Sequence, residues 1–79
     1  MKNAALLKRI RTSRNNVRFG DFVRLVEAMG FEFDRRVGSH AFYRHPCGAV
    51  LNLQEFGGEA KPYQIRQFLA AVDENGLEL

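Results

Sequence analysis

The residues best suited to chemistry in this chain are Gly38, Ser39 and His40, which follow Arg35 and Arg36. An imidazole changes its protonation near neutral pH, and the guanidinium groups of arginine bind phosphate oxygens. With arginines close by and no acid directly beside it, such an imidazole is suited to moving a proton at a phosphate. We therefore take His40 as the candidate catalytic residue and Ser39 and Arg36 as candidate phosphate ligands.

Two further cations are candidate phosphate ligands. Arg44 lies an even number of residues after His40, so a strand would place both side chains on the same face. Lys61 precedes Pro62 at the predicted start of a helix, where unpaired backbone N–H groups and the helix dipole favour an anion. The alternative for Lys61 is an exposed residue at a helix end.

Other chemistries fit these residues less well. His45 lies an odd number of residues after His40, so it is expected on the opposite face, as a residue flanking a turn. A metal site needs three or four convergent ligands, and His45 and Cys47 offer only two. Ser39 lacks the orienting acid that a nucleophile and base would need. We expect neither a metal nor a cofactor.

The composition favours a polymer or a protein as the partner. A chain of 79 residues is too short to enclose a deep cavity. The net charge is +3, the sequence pI is about 9.5, and nine of the twelve cations are arginine. Six cations and no acid lie in the first eighteen residues: Lys2, Lys8, Arg9, Arg11, Arg14 and Arg18. This polarised charge is compatible with nucleic acid, although a solvated basic surface is the alternative.

Cysteine usage and hydropathy indicate the compartment. Cys47 is the single cysteine, which excludes an internal disulfide and fits a reducing environment. No segment reaches the roughly 18 apolar residues needed to span a membrane, and no signal peptide is evident. We expect a cytoplasmic protein with no membrane partner.

Helical periodicity predicts three helices. The first covers residues 3–13 and is broken by residues 14–16. The second begins with Gly20 as its cap and ends at Gly30; its apolar stripe consists of Phe22, Leu25, Val26 and Met29. The last has Pro62 in its first turn and ends at Gly76. Its apolar face consists of Ile65, Phe68, Leu69 and Val72.

Alternating polarity predicts three strands. In the first, over residues 31–37, alternation places Phe33, Arg35 and Val37 on one face. The second covers residues 40–45, and the third covers residues 49–54, with Leu51 and Leu53 on its apolar face. Residues 55–59 show no period and are expected to form a mobile connection.

These elements predict an α+β fold. Three short strands cannot bury their apolar face alone, so we expect a three-stranded antiparallel sheet with the two later helices packed on one face, in the order αβββα. The first helix precedes this unit as an additional N-terminal element. We divide the chain into a basic N-terminal helical extension, residues 1–16, and a domain, residues 17–79.

Three blocks resemble the signature of the HicA family of small bacterial toxins, also called YcfA-like proteins. They are residues 35–46, which contain the Gly-Ser-His tripeptide, residues 51–54 followed by the pair Gly57-Gly58, and residues 60–69 with Lys-Pro. Together with residues 17–33 the likeness extends over residues 17–79. The chain departs from the family in its basic leader and in Ala41, where many members carry a polar side chain.

The resemblance implies a double-stranded-RNA-binding-like fold, ribosome-independent cleavage of mRNA, and neutralisation by a HicB-type antitoxin in a type II system. It also carries the family's catalytic histidine onto His40. Our first hypothesis is a metal-independent endoribonuclease, in which RNA supplies its own 2′-hydroxyl nucleophile. The alternatives are a non-catalytic RNA-binding module of the same fold and a domain that binds only protein.

Overall fold

Residues 2–79, as described by a computed structural model, form three helices and five strands. In chain order these are α1 Asn3–Ile10, β1 Val17–Arg18, α2 Phe19–Ala28, β2 Glu32–Val37, β3 His40–Arg44, β4 Val50–Leu53, β5 Glu59–Ala60 and α3 Pro62–Glu74. The α+β prediction is confirmed, with the αβββα order and the additional N-terminal helix. Pro62 occupies the first turn of α3, as predicted.

The main sheet is antiparallel in the order β2-β3-β4, so β3 is its central strand. The tight turn between β2 and β3 uses Gly38 at φ +61°, a backbone conformation that side chains with a Cβ rarely adopt. One face of the sheet is buried against the helices through Ala41, Tyr43, Leu51 and Leu53. The predicted apolar face of the third strand is therefore confirmed.

The predicted apolar stripes of α2 and α3 meet in the core. All four residues of the α2 stripe and all four of the α3 face are buried. The ring of Phe68 on α3 contacts the ring of Phe22 edge-on, with 5.5 Å between centroids, and lies 6.3 Å from that of Phe31. These aromatic contacts join the two helices over the sheet.

Helix α1 packs on the same core. Leu6 and Ile10 are almost fully buried in the hydrophobic cluster that contains the α2 stripe. Arg11 forms an exposed ion pair with Asp73 of α3 at 3.0 Å, and its hydrogen bond lowers the pKa of the Asp73 carboxyl. The basic leader is thus packed against the helices, and the division after residue 16 stays a prediction.

A small second sheet was not expected from the sequence. β1 and β5 pair antiparallel, with Val17 opposite Ala60, and Phe19 N–H donates to the Gly58 carbonyl at 2.9 Å. Two backbone hydrogen bonds of 3.0 Å also join Phe56 and Glu59. Residues 55–59, which were expected to form a mobile connection, thus form a hydrogen-bonded turn and enter β5, and their mobility stays a prediction.

The start of α2 also differs from the prediction. The helix begins at Phe19, preceded by Arg18 in extended conformation, so Gly20 lies within the first turn and is not the cap. Pairing of β1 with β5 keeps Arg18 extended up to the helix. Asp21 lies in the first turn, as expected.

Strand β2 contains a bulge that changes the predicted faces. The register shifts between Phe33 and Arg35, which pair with Tyr43 and Phe42 respectively. The extra residue, Asp34, breaks the alternation, so Phe33 and Arg35 point to opposite faces. The prediction that Phe33, Arg35 and Val37 share one face is therefore wrong.

Candidate active site on the open sheet face

The face of the main sheet that points away from the helices, here called the open face, carries the candidate catalytic residue. Pairing places on it Glu32, Arg35, Val37, His40, Phe42, Arg44, Val50 and Asn52. Val37 and Val50 are 58% and 47% exposed, so no other part of residues 2–79 covers this face. A polymer can approach His40 here without an enclosed pocket.

His40 is partly exposed at the start of β3 and is held by one side chain. Its Nδ1 lies 3.0 Å from Oδ1 of Asn52 on β4. Because an amide oxygen only accepts hydrogen bonds, Nδ1 carries the proton in this contact. Nε2 has no hydrogen-bond partner within residues 2–79, so a neutral ring presents a free lone pair to the open face.

The turn that carries His40 is tied to α3 through two glutamines. Ser39 Oγ accepts a hydrogen bond of 2.8 Å from the side chain of Gln54. The backbone of Gln54 in turn bonds the fully buried Gln64: its N–H donates to Oε1 at 3.2 Å, and its carbonyl accepts from Nε2 at 2.7 Å. Ser39 therefore has an anchored oxygen and an O–H free to turn toward a ligand.

Of the two adjacent arginines, Arg35 and not Arg36 shares the open face. Arg36 pairs with Ala41, whose side chain is buried on the helix side, whereas Arg35 pairs with Phe42 and stacks 4.6 Å over its ring. Burial raises the pKa of Tyr43, and the positive charge of Arg36 opposes that rise. By its pairing with Ala41, Arg36 lies on the face opposite His40.

Arg44 shares the open face with His40 but lies at the other end of β3, about 13 Å along the strand. It donates to Asp34 at 3.4 Å, and the same carboxylate oxygen accepts from Arg35 at 2.7 Å. Both arginines are thus partly neutralised by the bulge residue. Arg44 therefore lies well away from His40 along the strand.

Lys61 lies immediately before α3 and is exposed, with its Nζ 5.3 Å from the centre of the Phe56 ring. Gln64, in the first turn of α3, bonds the residue that holds Ser39. Lys61 therefore lies at the end of the sheet where His40 begins β3, although no described hydrogen bond joins the two side chains.

His45 supports the fold, in agreement with its expected place beside a turn. Its Nδ1 accepts a hydrogen bond from the Cys47 N–H at 2.9 Å, and its ring contacts Phe31 edge-on at 5.0 Å. A Cβ on Gly30 would come within 2.9 Å of His45 Nε2. Residues 2–79 contain no group of three His, Cys, Asp or Glu side chains that could hold a metal ion.

Sequence reasoning missed the three polar residues that hold the site: Asn52, Gln54 and Gln64. Asn52 and Gln54 alternate with Leu51 and Leu53, which is a signal that they lie on the face opposite the core. Gln64 directly precedes Ile65 within the buried stripe of α3. A glutamine at a core position needs buried hydrogen-bond partners, and that requirement was the available signal.

The fold and site define a small α+β protein with a histidine exposed on an open sheet face and cations around it. The model of the family described as the HicA toxin of bacterial toxin–antitoxin matches residues 19–73, well over half of the chain. The chain belongs to this toxin family, and such a toxin has an antitoxin partner.

No curated protein and no solved structure matches the chain significantly. Within residues 2–79, every helix is too short or too polar to cross a membrane. Residues 1–18, which include the whole basic leader, lie outside the family match.

Proposed function

We propose that this protein is a metal-independent endoribonuclease that cleaves mRNA with His40 as its single catalytic histidine. The observation that carries the proposal is the orientation of His40: Asn52 holds Nδ1, while Nε2 faces the open face without a partner among the described residues. Membership of a toxin family supports an activity that harms the cell, and mRNA as the substrate places that activity in the cytoplasm.

The reaction needs few protein groups because RNA contains its own nucleophile. Nε2 of His40 takes the proton from the 2′-hydroxyl as O2′ bonds to phosphorus and the bond from phosphorus to O5′ breaks. The products are a 2′,3′-cyclic phosphate and a 5′-hydroxyl, whose oxygen receives a proton from the imidazolium or from water. Holding the reacting atoms in line supplies much of the remaining rate enhancement.

The candidate phosphate ligands fall into two groups, those close to His40 and those further along the sheet. Ser39 is adjacent to His40 and can donate its O–H to a phosphoryl oxygen, and Lys61 offers a positive charge at the same end of the sheet. Arg35 and Arg44 lie further along the open face and suit neighbouring phosphates. Arg36, on the other face, would meet RNA only around the edge of β2.

The antitoxin partner is proposed to be of HicB type and to act by covering His40 and Lys61. Because both residues belong to a basic region, the covering segment should be acidic or should insert a strand or loop over the open face. A toxin inhibited in this way would keep its fold and lose access to RNA.

A non-catalytic RNA-binding module is the second candidate. The stack of Arg35 on Phe42 favours it, because an aromatic ring and a guanidinium on an open sheet can hold bases without any proton transfer. Such a module would bind RNA with salt-dependent affinity and release no product.

The substrate test separates these candidates. Wild-type protein is expected to cut an unstructured RNA and to leave the 2′-deoxy version of the same sequence intact, because the deoxy strand lacks the attacking oxygen. Denaturing gels with end-labelled strands give the readout, and mass spectrometry identifies the cyclic phosphate. Cutting of both strands would reject the 2′-hydroxyl mechanism. Cutting of neither strand would reject the nuclease and favour the non-catalytic RNA-binding module.

Asn52 is a positioning residue, and its replacement tests the orientation of His40. Asn52→Ala is expected to lower kcat several-fold with little change in KM, because the ring loses the acceptor that fixes its tautomer. Asn52→Asp retains an acceptor oxygen but adds a negative charge that stabilises the imidazolium, so its pH–rate profile should move to higher pH. Unchanged kcat in Asn52→Ala, or an unmoved profile in Asn52→Asp, would contradict this role.

A further inference from the structure

A groove separates the end of the basic leader from the start of α3. It has a volume of about 420 Å³, and its lining includes Arg14, Asn16, Phe56, Glu59 and Lys61. Arg14 and Asn16 precede the segment that matches the toxin family, so this groove depends on residues particular to the leader.

Arg14 is a half-buried cation without a counter-ion among the residues that the structure describes. Its guanidinium makes no hydrogen bond or ion pair with any residue in 2–79, and its Nε is fully buried without an acceptor. Buried donors in proteins nearly always have partners, so the Nε–H of Arg14 is expected to bind an acceptor. The guanidinium fork is suited to a carboxylate or a phosphate, so Arg14 can bind an anion in the groove.

The charges around the groove favour an anionic ligand. Lys61 adds a second cation that is paired with a ring and not with a carboxylate. Glu59 is the acid among the lining residues, and it stands opposite Arg18 in the pairing of β1 with β5. Because Pro62 has no N–H, the first position of α3 contributes no backbone donor to the groove.

We infer that this groove binds a phosphodiester of the RNA substrate next to the one that is cut. This inference rests on the proposed function. Lys61 lies at the end of the sheet where Gln64 and Gln54 anchor Ser39 beside His40. Lys61 and Arg14 line the same groove, so an RNA strand that passes from His40 along Lys61 can contact Arg14, and the leader then lengthens the RNA-binding surface.

The test measures RNA affinity in a His40→Ala background, so that the RNA stays intact. Arg14→Gln is expected to weaken binding of an unstructured RNA and to reduce the slope of log K against log salt by about 0.7, the value for one single-strand phosphate contact. Lys61→Gln should likewise weaken RNA binding and reduce the slope, because Lys61 also lines the groove. Arg66→Gln is the matched control, because Arg66 is exposed on α3 and does not line the groove.

Nuclear magnetic resonance gives a second readout at the site. The Arg14 Nε–H signal should shift on addition of a short RNA and respond far less to inorganic phosphate at equal concentration. An Arg14→Gln slope equal to that of Arg66→Gln, with an unmoved Nε–H signal, overturns the inference. An equal response to inorganic phosphate assigns the groove to a free anion and also overturns it.

The two proposals fail separately. If the wild type cuts no RNA but Arg14→Gln still reduces the salt slope, the groove proposal stands and the nuclease proposal is rejected. If the wild type cuts RNA and Arg14→Gln leaves the slope unchanged, the nuclease proposal stands and the groove proposal is rejected. Circular dichroism of each variant establishes that the fold is intact.

Discussion

Replacing His40 with alanine is expected to reduce RNA cleavage by roughly 10²- to 10⁴-fold, the usual contribution of a general acid–base group. The fold should persist, because His40 is partly exposed and its described side-chain hydrogen bond is to the exposed Asn52. RNA affinity should change little, since the cations of the open face and of the groove remain. The measurements are single-turnover cleavage on a denaturing gel and growth arrest on induced expression.

The chain offers a matched control for this experiment. His45→Gln replaces the second histidine, which supports the fold on the other side of β3 and does not reach the open face. Once its folding is verified, this variant should cut RNA at close to the wild-type rate. Equal cleavage by His40→Ala and wild type would remove His40 from the mechanism and assign the proton transfer to another group.

Replacing Gln64 with methionine should give a large loss of stability. The side chains are similar in size, so the change removes two hydrogen bonds and leaves the N–H and carbonyl of Gln54 unpaired. Each unpaired buried group costs about 1–3 kcal/mol. Urea denaturation should show this loss in the free energy of unfolding, with an unchanged dependence on urea concentration.

Gln67→Met on the same helix is the control, because Gln67 is exposed. It should change the unfolding free energy by less than about 0.5 kcal/mol, as is usual at exposed positions. If Gln64→Met is as stable as Gln67→Met, the two hydrogen bonds between Gln64 and the backbone of Gln54 do not stabilise the fold. The contacts would then serve only to place Ser39.

Much of the fold could be predicted because its signals are local. The four-residue stripe of α2 and the alternation of Leu51 with Leu53 both reflect the period of one element, and both are buried as expected. The small sheet could not be predicted in this way. β1 and β5 have two residues each, too few to show a period, and their pairing joins segments about forty residues apart.

The site was predictable in part. His40 could be selected from its neighbours and its place beside a turn, and the structure leaves it accessible. Which arginine accompanies it could not be predicted, because the bulge at Asp34 exchanges the faces of Arg35 and Arg36. No local pattern marks a bulge, since it arises from the pairing of two strands.

The sequence by itself determined the order of the elements, the apolar faces that form the core, the excess of cations in the leader and the histidine beside the turn. These properties follow from residue type and from periods within single segments. Only the tertiary structure decided that Asn52 holds Nδ1 of His40, that Gln64 anchors Gln54, and that Arg14 and Lys61 line one groove. Those contacts join residues ten or more positions apart, and the register between strands and the packing of helices determine which of them meet.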